Sequence, residues 1–254
     1  MNTRFNPTTS GDLHLGHIYM AKLNQVMAYE TGGKFVLRFD DNSRHIMRDH
    51  GGPESMALIA QRQSDDLLWM GIHPSKVVYQ SEEEEEVKQF LAQSKFQMVI
   101  DHAFEGMRDT EPVIMAYTPT ISPMRMATFI IAERVIQDRW SDVDTVIRGI
   151  DLLQNHTLYM YFCALFGFRF PKMYYMPRLM ATADDGPYAN VSKTMGNWKV
   201  SRFKELGASP EDVYSILEEA CLVDRQGPWH IHNIKDTPRL IDADIEEAIC
   251  RARR

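Results

Sequence analysis

Apolar residues recur along this chain in two spacings, and the spacings predict its elements. Met1 to Phe5 form a short run suited to a buried strand. Ile18 to Tyr29 carry helical spacing, with Gly32-Gly33 as the stop signal. Lys34 to Phe39 read as a second buried strand. Pro53 to Met70 read as a second helix that begins near Gly51-Gly52, and Val77-Val78-Tyr79 as a short extended piece. A helix opens with Glu82 to Glu86 and runs toward Phe96. Its glutamates form a solvated face, because acidic side chains in a first turn are stabilised by the helix dipole. Residues 98–126, with Pro112, Pro119 and Pro123, show no period. Helical spacing resumes from Ala127 to about Gln137 and is followed by a strand over Thr145 to Arg148. Leu152 to Phe166 read as one long apolar helix stopped by Gly167, and Met173 to Leu179 as a further strand. Ala181 to Lys199, rich in Gly, Asp and Asn, reads as a loop. Arg202 to Leu222 read as a helix broken at Gly207 to Pro210, and the remaining residues are expected to be helical and to dock on the core.

Strands that alternate with helices in this way argue for a parallel α/β sheet. A length of 254 residues suffices for one good core with a small appendage. The 44% hydrophobic and 25% charged content are those of an ordinary globular protein. No apolar run reaches the ~18 residues of a membrane helix. The polar N-terminus leads straight into the first strand and has no secretory pattern. Cys163, Cys221 and Cys250 are too far apart for a disulfide framework or a zinc pattern, so a reducing cytoplasm is the expected location and no metal site is expected. The net charge of −7 removes one argument for a nucleic-acid partner, since Arg251, Arg253 and Arg254 form the only basic cluster.

The chemistry is concentrated in Arg4-Phe-Asn-Pro-Thr-Thr-Ser-Gly-Asp-Leu-His-Leu-Gly-His17. His14 and His17 flank Gly16 where a strand gives way to a helix N-terminus. Backbone N–H groups converge there and the dipole favours anions. Two imidazoles at that point can hold phosphate oxygens, and Gly16 lets a flat ring approach the backbone with no Cβ in the way. The residues by themselves therefore indicate a nucleotide site. Their alternative role is structural: helix capping for the histidines, ion pairing for Arg4 and Arg148, and loop capping for Asp40 and Asp41.

Arg4 to His17 resembles the first signature, HIGH, of class I aminoacyl-tRNA synthetases, with flanks like those of the glutamyl/glutaminyl subgroup. Three further segments match in order. Gly32 to Asp41 is similar to that subgroup's Gly-Gly-x-x-x-x-Arg-Ile-Glu-Asp. Asp144 to Leu153 is similar to its Val-Ile-Arg-Gly-Glu-Asp segment, and Val191-Ser192-Lys193 to the second signature, KMSKS. The resemblance implies a Rossmann-like, doubly wound core of the class I synthetase HUP type. It divides the chain into residues 1–80 and 127–200 as the two halves of that core, 81–126 as a reduced insertion and 201–254 as a C-terminal helical region.

The resemblance also implies an enzyme, a ligase that activates a carboxylate with ATP and Mg2+ to form an aminoacyl-adenylate. Such a reaction must neutralise phosphates, place the carboxylate in line with the α-phosphorus and stabilise the departing pyrophosphate. His14 and His17 suit the first task, and Lys193 the third, as a point charge. Thr8, Gly16 and Ser192 are placed with the ATP phosphates and base. Asp151 stands where an acid contacts the ribose, and Leu179 beside the adenine. Asn190 stands where the family often has its first lysine. Arg4 would face the side-chain carboxylate of glutamate, Asp40 would hold its ammonium group, and Arg148 would line the same pocket. Ile130 falls where a tyrosine is usual, and Arg134 where an asparagine is usual. An extra arginine favours an acidic amino acid, because a guanidinium pairs bidentately with a carboxylate. Glutamate, aspartate or another amino dicarboxylate is therefore the expected substrate.

The acceptor is expected to differ from that of a full synthetase. The chain has no counterpart of the anticodon-binding half, the stretch from Ser81 to Met126 is short, and the cysteines of the truncated queuosine-directed relative are missing. The expected acceptor is a small amine, a carrier protein or a peptide. A tRNA-directed ligase of the glutamyl-queuosine or minimal glutamyl type is the alternative. A catalytically silent binding module is the third reading, and intact His14, His17 and Lys193 speak against it.

Overall fold

The computed structural model describes residues 1–42, 52–94, 123–183, 186–191, 198–221 and 239–254. In chain order the elements are β1 (Thr3–Phe5), α1 (Leu15–Glu30), β2 (Phe35–Phe39), α2 (Pro53–Trp69), β3 (Lys76–Tyr79) and α3 (Gln80–Gln93). There follow α4 (Pro123–Trp140), β4 (Thr145–Gly149), α5 (His156–Leu165) and β5 (Lys172–Met176). The C-terminal part contains β6 (Leu179–Ala183), β7 (Gly186–Asn190), α6 (Val200–Glu205), α7 (Pro210–Cys221), β8 (Arg239–Ile241) and α8 (Ile245–Ala252).

Five strands form one parallel sheet in the order β3-β2-β1-β4-β5. The central strands β1 and β2 are buried at every residue, including Thr3, Arg4 and Arg38, so neither shows a polar and an apolar face in alternation. The sequence runs outward from β1 in one direction and then resumes on its other side with β4. That reversal is the switch point of a doubly wound fold, where a crevice opens at the carboxyl ends of the strands. The α/β class and Rossmann-like core thus agree with the sequence reading. The apolar side of β1 and β2 joins α1, α2 and the C-terminal helices in one cluster, and α3, α4 and α5 form a second. Gly167 ends α5 as expected, at φ +68°, a backbone conformation that L side chains rarely adopt.

Four expectations are corrected. The helix placed over Leu152 to Phe166 is a 3-10 turn, Ile150–Asn155, followed by the shorter α5. The strand expected over Met173 to Leu179 is two strands. Pro177, which has no N–H for a ladder, lies between β5 and β6. The supposed loop Ala181 to Lys199 contains most of β6 and all of β7, which pair antiparallel. The tail is not wholly helical: β8 joins β6 in parallel and completes a second, three-stranded sheet in the order β7-β6-β8. A strand this short is stabilised by partners remote in sequence, so its own residues carry little period. The aperiodic stretch from residue 98 lies outside the described residues as far as residue 122. Among the described residues no helix is long and apolar enough to cross a membrane.

Candidate active site

A cavity of about 680 Å³ opens at the switch point, within the size range of small-molecule sites. The carboxyl end of β1 contributes Arg4, Phe5 and Asn6, and the end of β4 contributes Ile147, Arg148 and Gly149. His14, Gly16 and His17 line it from the start of α1, Arg134 from α4, Asp151 from the 3-10 turn, and Arg178 and Leu179 from the start of β6. The fold therefore brings together most of the residues singled out in the sequence.

His14 is the N-cap of α1, and its backbone N–H donates to His17 Nδ1 at 3.3 Å. The two imidazoles stack at 3.7 Å between centroids, so the spacing across Gly16 makes one aromatic pair. A Cβ on Gly16 would lie 3.2 Å from two atoms of the His14 ring. The flat ring that approaches this glycine is thus His14's own. Lys199 pairs with His14 across an isolated bridge, and the Val200 N–H donates to the Leu13 carbonyl at 3.0 Å. Val191 lines the same cavity. The chain on both sides of residues 192–197 is thereby anchored to the histidine turn. Ser192 and Lys193 themselves lie outside the described residues.

The arginines divide into three situations. Arg4 donates from Nε and Nη2 to the two carboxylate oxygens of Asp138, at 3.0 and 3.2 Å. Arg38 donates to the same Asp138 at 2.6 Å, and the Tyr159 hydroxyl donates to it at 2.7 Å. Burial alone would push the Asp138 carboxyl up, but Arg4 and Arg38 outweigh it and hold it at about 2. Arg4 thus has the ion-pair role while one face of it still borders the cavity. Arg134 donates to the buried Asp40 at 2.9 Å. Arg148 has no carboxylate partner among the described residues. It donates to the Tyr175 hydroxyl at 2.9 Å, its guanidinium carbon lies 5.5 and 5.2 Å from the ring centres of Tyr159 and Tyr175, and its Nε is buried without a hydrogen-bond partner. His156 Nδ1 lies 2.8 Å from the same Tyr175 hydroxyl and fixes it from behind.

Asp40 and Thr8 pair in a bridge between the end of β2 and the segment after β1, and neither lines the cavity. Asp41 takes the loop-capping role, accepting from the Ser81 N–H at 2.9 Å and its hydroxyl at 2.6 Å. Asp151 is exposed at the rim, with a carboxylate oxygen close over Gly149. Leu179 is buried and lines the wall, at the start of a strand and not at the end of one.

Sequence reasoning missed Asp138, Tyr159, Tyr175 and Arg178. Asp138 meets Arg4 across 134 residues of chain, and no local pattern announces such a pair. Arg178 adjoins Leu179, and that adjacency was the one available clue. Among the described residues no group of three or more His, Cys, Asp or Glu side chains could hold a metal ion.

Residues 1–94 match the family model for the catalytic domain of class I tRNA synthetases (E and Q). The chain is 40% identical over 80 residues to the glutamate–tRNA ligase of Pyrococcus abyssi, a match covering 32% of this chain and 13% of that one. It is 23% identical to glutamate–tRNA ligase 2 of Rickettsia bellii, over 85% of this chain and 56% of the relative. The chain therefore spans little more than half of that ligase. Among solved structures, a glutamate–tRNA synthetase from Elizabethkingia anophelis superposes with a TM-score of 0.69 at 15% identity, over 99% of this chain and 69% of the other. A glutamate–tRNA ligase from Elizabethkingia meningosepticum, solved with its amino acid, gives 0.62 at 16% identity, over 98% and 64%. At such identities the superpositions bear on the fold alone.

Proposed function

We propose that this chain, a class I glutamyl-type synthetase-like domain, is a ligase that activates a small acid of the glutamate type with ATP. The observation that carries the reading is Arg148. It is a buried guanidinium with no carboxylate partner among the described residues, in the same cavity as the stacked histidines. Leaving a buried cation without a counter-ion is costly, and an acid ligand removes that cost.

The cavity suits the nucleotide as well. Cationic side chains surround it, a helix N-terminus faces it, and Gly16 has no Cβ. His14 and His17 would hold phosphate oxygens, Asp151 the ribose, and Leu179 would pack against the base. Thr8 lies behind this wall and would act through the turn that positions the histidines. Ser192 and Lys193 would meet the pyrophosphate end from the segment anchored at Val191 and Lys199. Mg2+ would be held chiefly by the nucleotide's own phosphates, as is usual for this ion.

In the step itself, an oxygen of the substrate carboxylate attacks the α-phosphorus. The bond from that phosphorus to the bridging oxygen breaks and pyrophosphate leaves, giving an acyl-adenylate. A nucleophile then takes the acyl group and AMP leaves. His14 and His17 neutralise charge that grows on phosphate oxygens, and Lys193 balances the leaving group. Arg148 holds the second carboxylate and so aims the first.

For the acceptor, we favour an amine on a small molecule, a carrier protein or a peptide over tRNA. The support is internal to the chain: the stretch between the two halves of the core, residues 81–126, is short, and its described part is mostly α3, which packs on α4 through Val87 and Leu91. A tRNA-directed ligase is the second reading, favoured by the names of the relatives. The test is ATP–pyrophosphate exchange over a panel of acidic amino acids and dicarboxylates. Exchange that depends on one of these acids is expected. Its absence with every acid refutes activation, and labelled acid appearing on bulk tRNA refutes the preferred acceptor.

A further inference from the structure

The charges around the acid end of the cavity are unequal, and the inequality narrows the substrate. Among the described residues, Arg4, Arg134, Arg148 and Arg178 line the cavity together with two histidines, against one lining carboxylate, Asp151, at the exposed rim. Two buried carboxylates paired with wall arginines are thereby engaged. Asp138 is shared by Arg4 and Arg38, and Asp40 accepts from Arg134 at 2.9 Å with its side chain 5% exposed. Glu133, the remaining acid nearby, does not line the cavity. It is buried, accepts from the Asn42 amide at 2.9 Å, and carries only about half of a full charge at neutral pH, because burial and the adjacent Asp40 charge push it up to about 7.

A ligand ammonium at this end would therefore meet arginines, with the buried carboxylates Asp40 and Asp138 already paired. A ligand carboxylate would meet Arg148, whose Nε is buried and unpartnered. Arg134 supplies Asp40 with a cation while lining the cavity, and its own Nε is likewise buried without a partner. We infer that Arg134 is a specificity-determining residue that occupies Asp40 and selects a dicarboxylic acid lacking a free α-ammonium group. The inference rests on the acid-binding reading of this cavity and names the class of acid. The α-ammonium of an amino acid would face the Arg134 and Arg148 side chains of the wall, which like-charge repulsion in a partly buried site opposes.

The experiment is calorimetric titration of the whole chain with glutarate and with L-glutamate, which differ only in the α-ammonium group. The wild type should bind glutarate at least about tenfold more tightly, equivalent to about 1.4 kcal/mol. Arg134→Ala should abolish or invert that ratio, because the wall then loses the cation that repels an ammonium. Arg134→Gln is measured in parallel, as a variant that keeps the side chain's bulk, with the circular dichroism melt of each protein recorded. Equal or tighter binding of glutamate by the wild type overturns the inference. So does a ratio unchanged in both folded variants, or binding of neither acid. Pyrophosphate exchange with glutarate separates this inference from the proposed activity: binding with the expected ratio but no exchange removes activation and leaves the selection by Arg134 standing.

Discussion

Asp138→Asn tests the account of how this site is held together. Asp138 is 2% exposed and receives both nitrogens of the Arg4 fork, Arg38 Nη1 at 2.6 Å and the Tyr159 hydroxyl at 2.7 Å. Its carboxyl sits at about 2, against an ordinary 3.8, a gap equivalent to about 2.5 kcal/mol in favour of the charged form. The amide removes that charge and also leaves two buried guanidinium groups without their shared counter-ion. Removing one partner of a buried pair costs ~3–5 kcal/mol. Arg38 keeps the Gln137 carbonyl and the Ser141 hydroxyl, and Arg4 borders the cavity and can be rehydrated there, so the lower part of the range applies. We expect a loss of ~3 kcal/mol at pH 7 in urea unfolding. Because the folded pKa is depressed, the wild type's advantage is complete above about pH 4 and is lost as the pH falls toward about 2, so the two proteins should converge in acid. A loss under about 1 kcal/mol at pH 7, or a gap that stays constant as acid is added, would refute the reasoning.

Other expectations concern the acid, the nucleotide and the buried glutamate. Arg148→Ala should raise the acid's KM in the exchange assay by at least about tenfold, as expected for losing a charge-assisted pair. Arg4→Ala should lower stability more than acid preference, because Asp138 already holds two of its nitrogens. The reverse ranking of the two variants would show the pocket to be misassigned. Lys193→Ala should cost ~2–4 kcal/mol of transition-state stabilisation, read as the fall in the exchange rate constant with the acid's KM little changed. An unchanged rate would remove Lys193 from the mechanism. Glu133 is raised to about 7 in the folded chain, so it destabilises the protein progressively as the pH climbs from about 4.5 to 7. Glu133→Gln keeps an acceptor for Asn42, and should raise Tm above pH 7 but not below pH 4.5. A Tm difference that is the same at both ends of that range would count against the raised carboxyl.

The sequence alone carried the frame and much of the charged part of the cavity wall. The short segments Thr3–Phe5 and Phe35–Phe39, alternating with helical spacing, were legible as buried strands, and a parallel sheet follows from that alternation. The spacing of His14, Gly16 and His17 at a strand–helix junction pointed to the turn where the cavity lies. Motif order likewise placed Arg4, Arg134 and Arg148 in one region. Tertiary structure decided what those arginines are free to do. Asp138 lies 134 residues from Arg4 in the chain and Asp40 lies 94 from Arg134, so which guanidinium is neutralised and which is open depends on chain crossings that no local pattern encodes. The same holds for β6, β7 and β8, short strands formed by pairing across residues 179 to 241 and not by their own period. Burial patterns are written residue by residue, whereas charge compensation belongs to pairs. That is why the fold was legible before the structure and the open arginine, Arg148, was not.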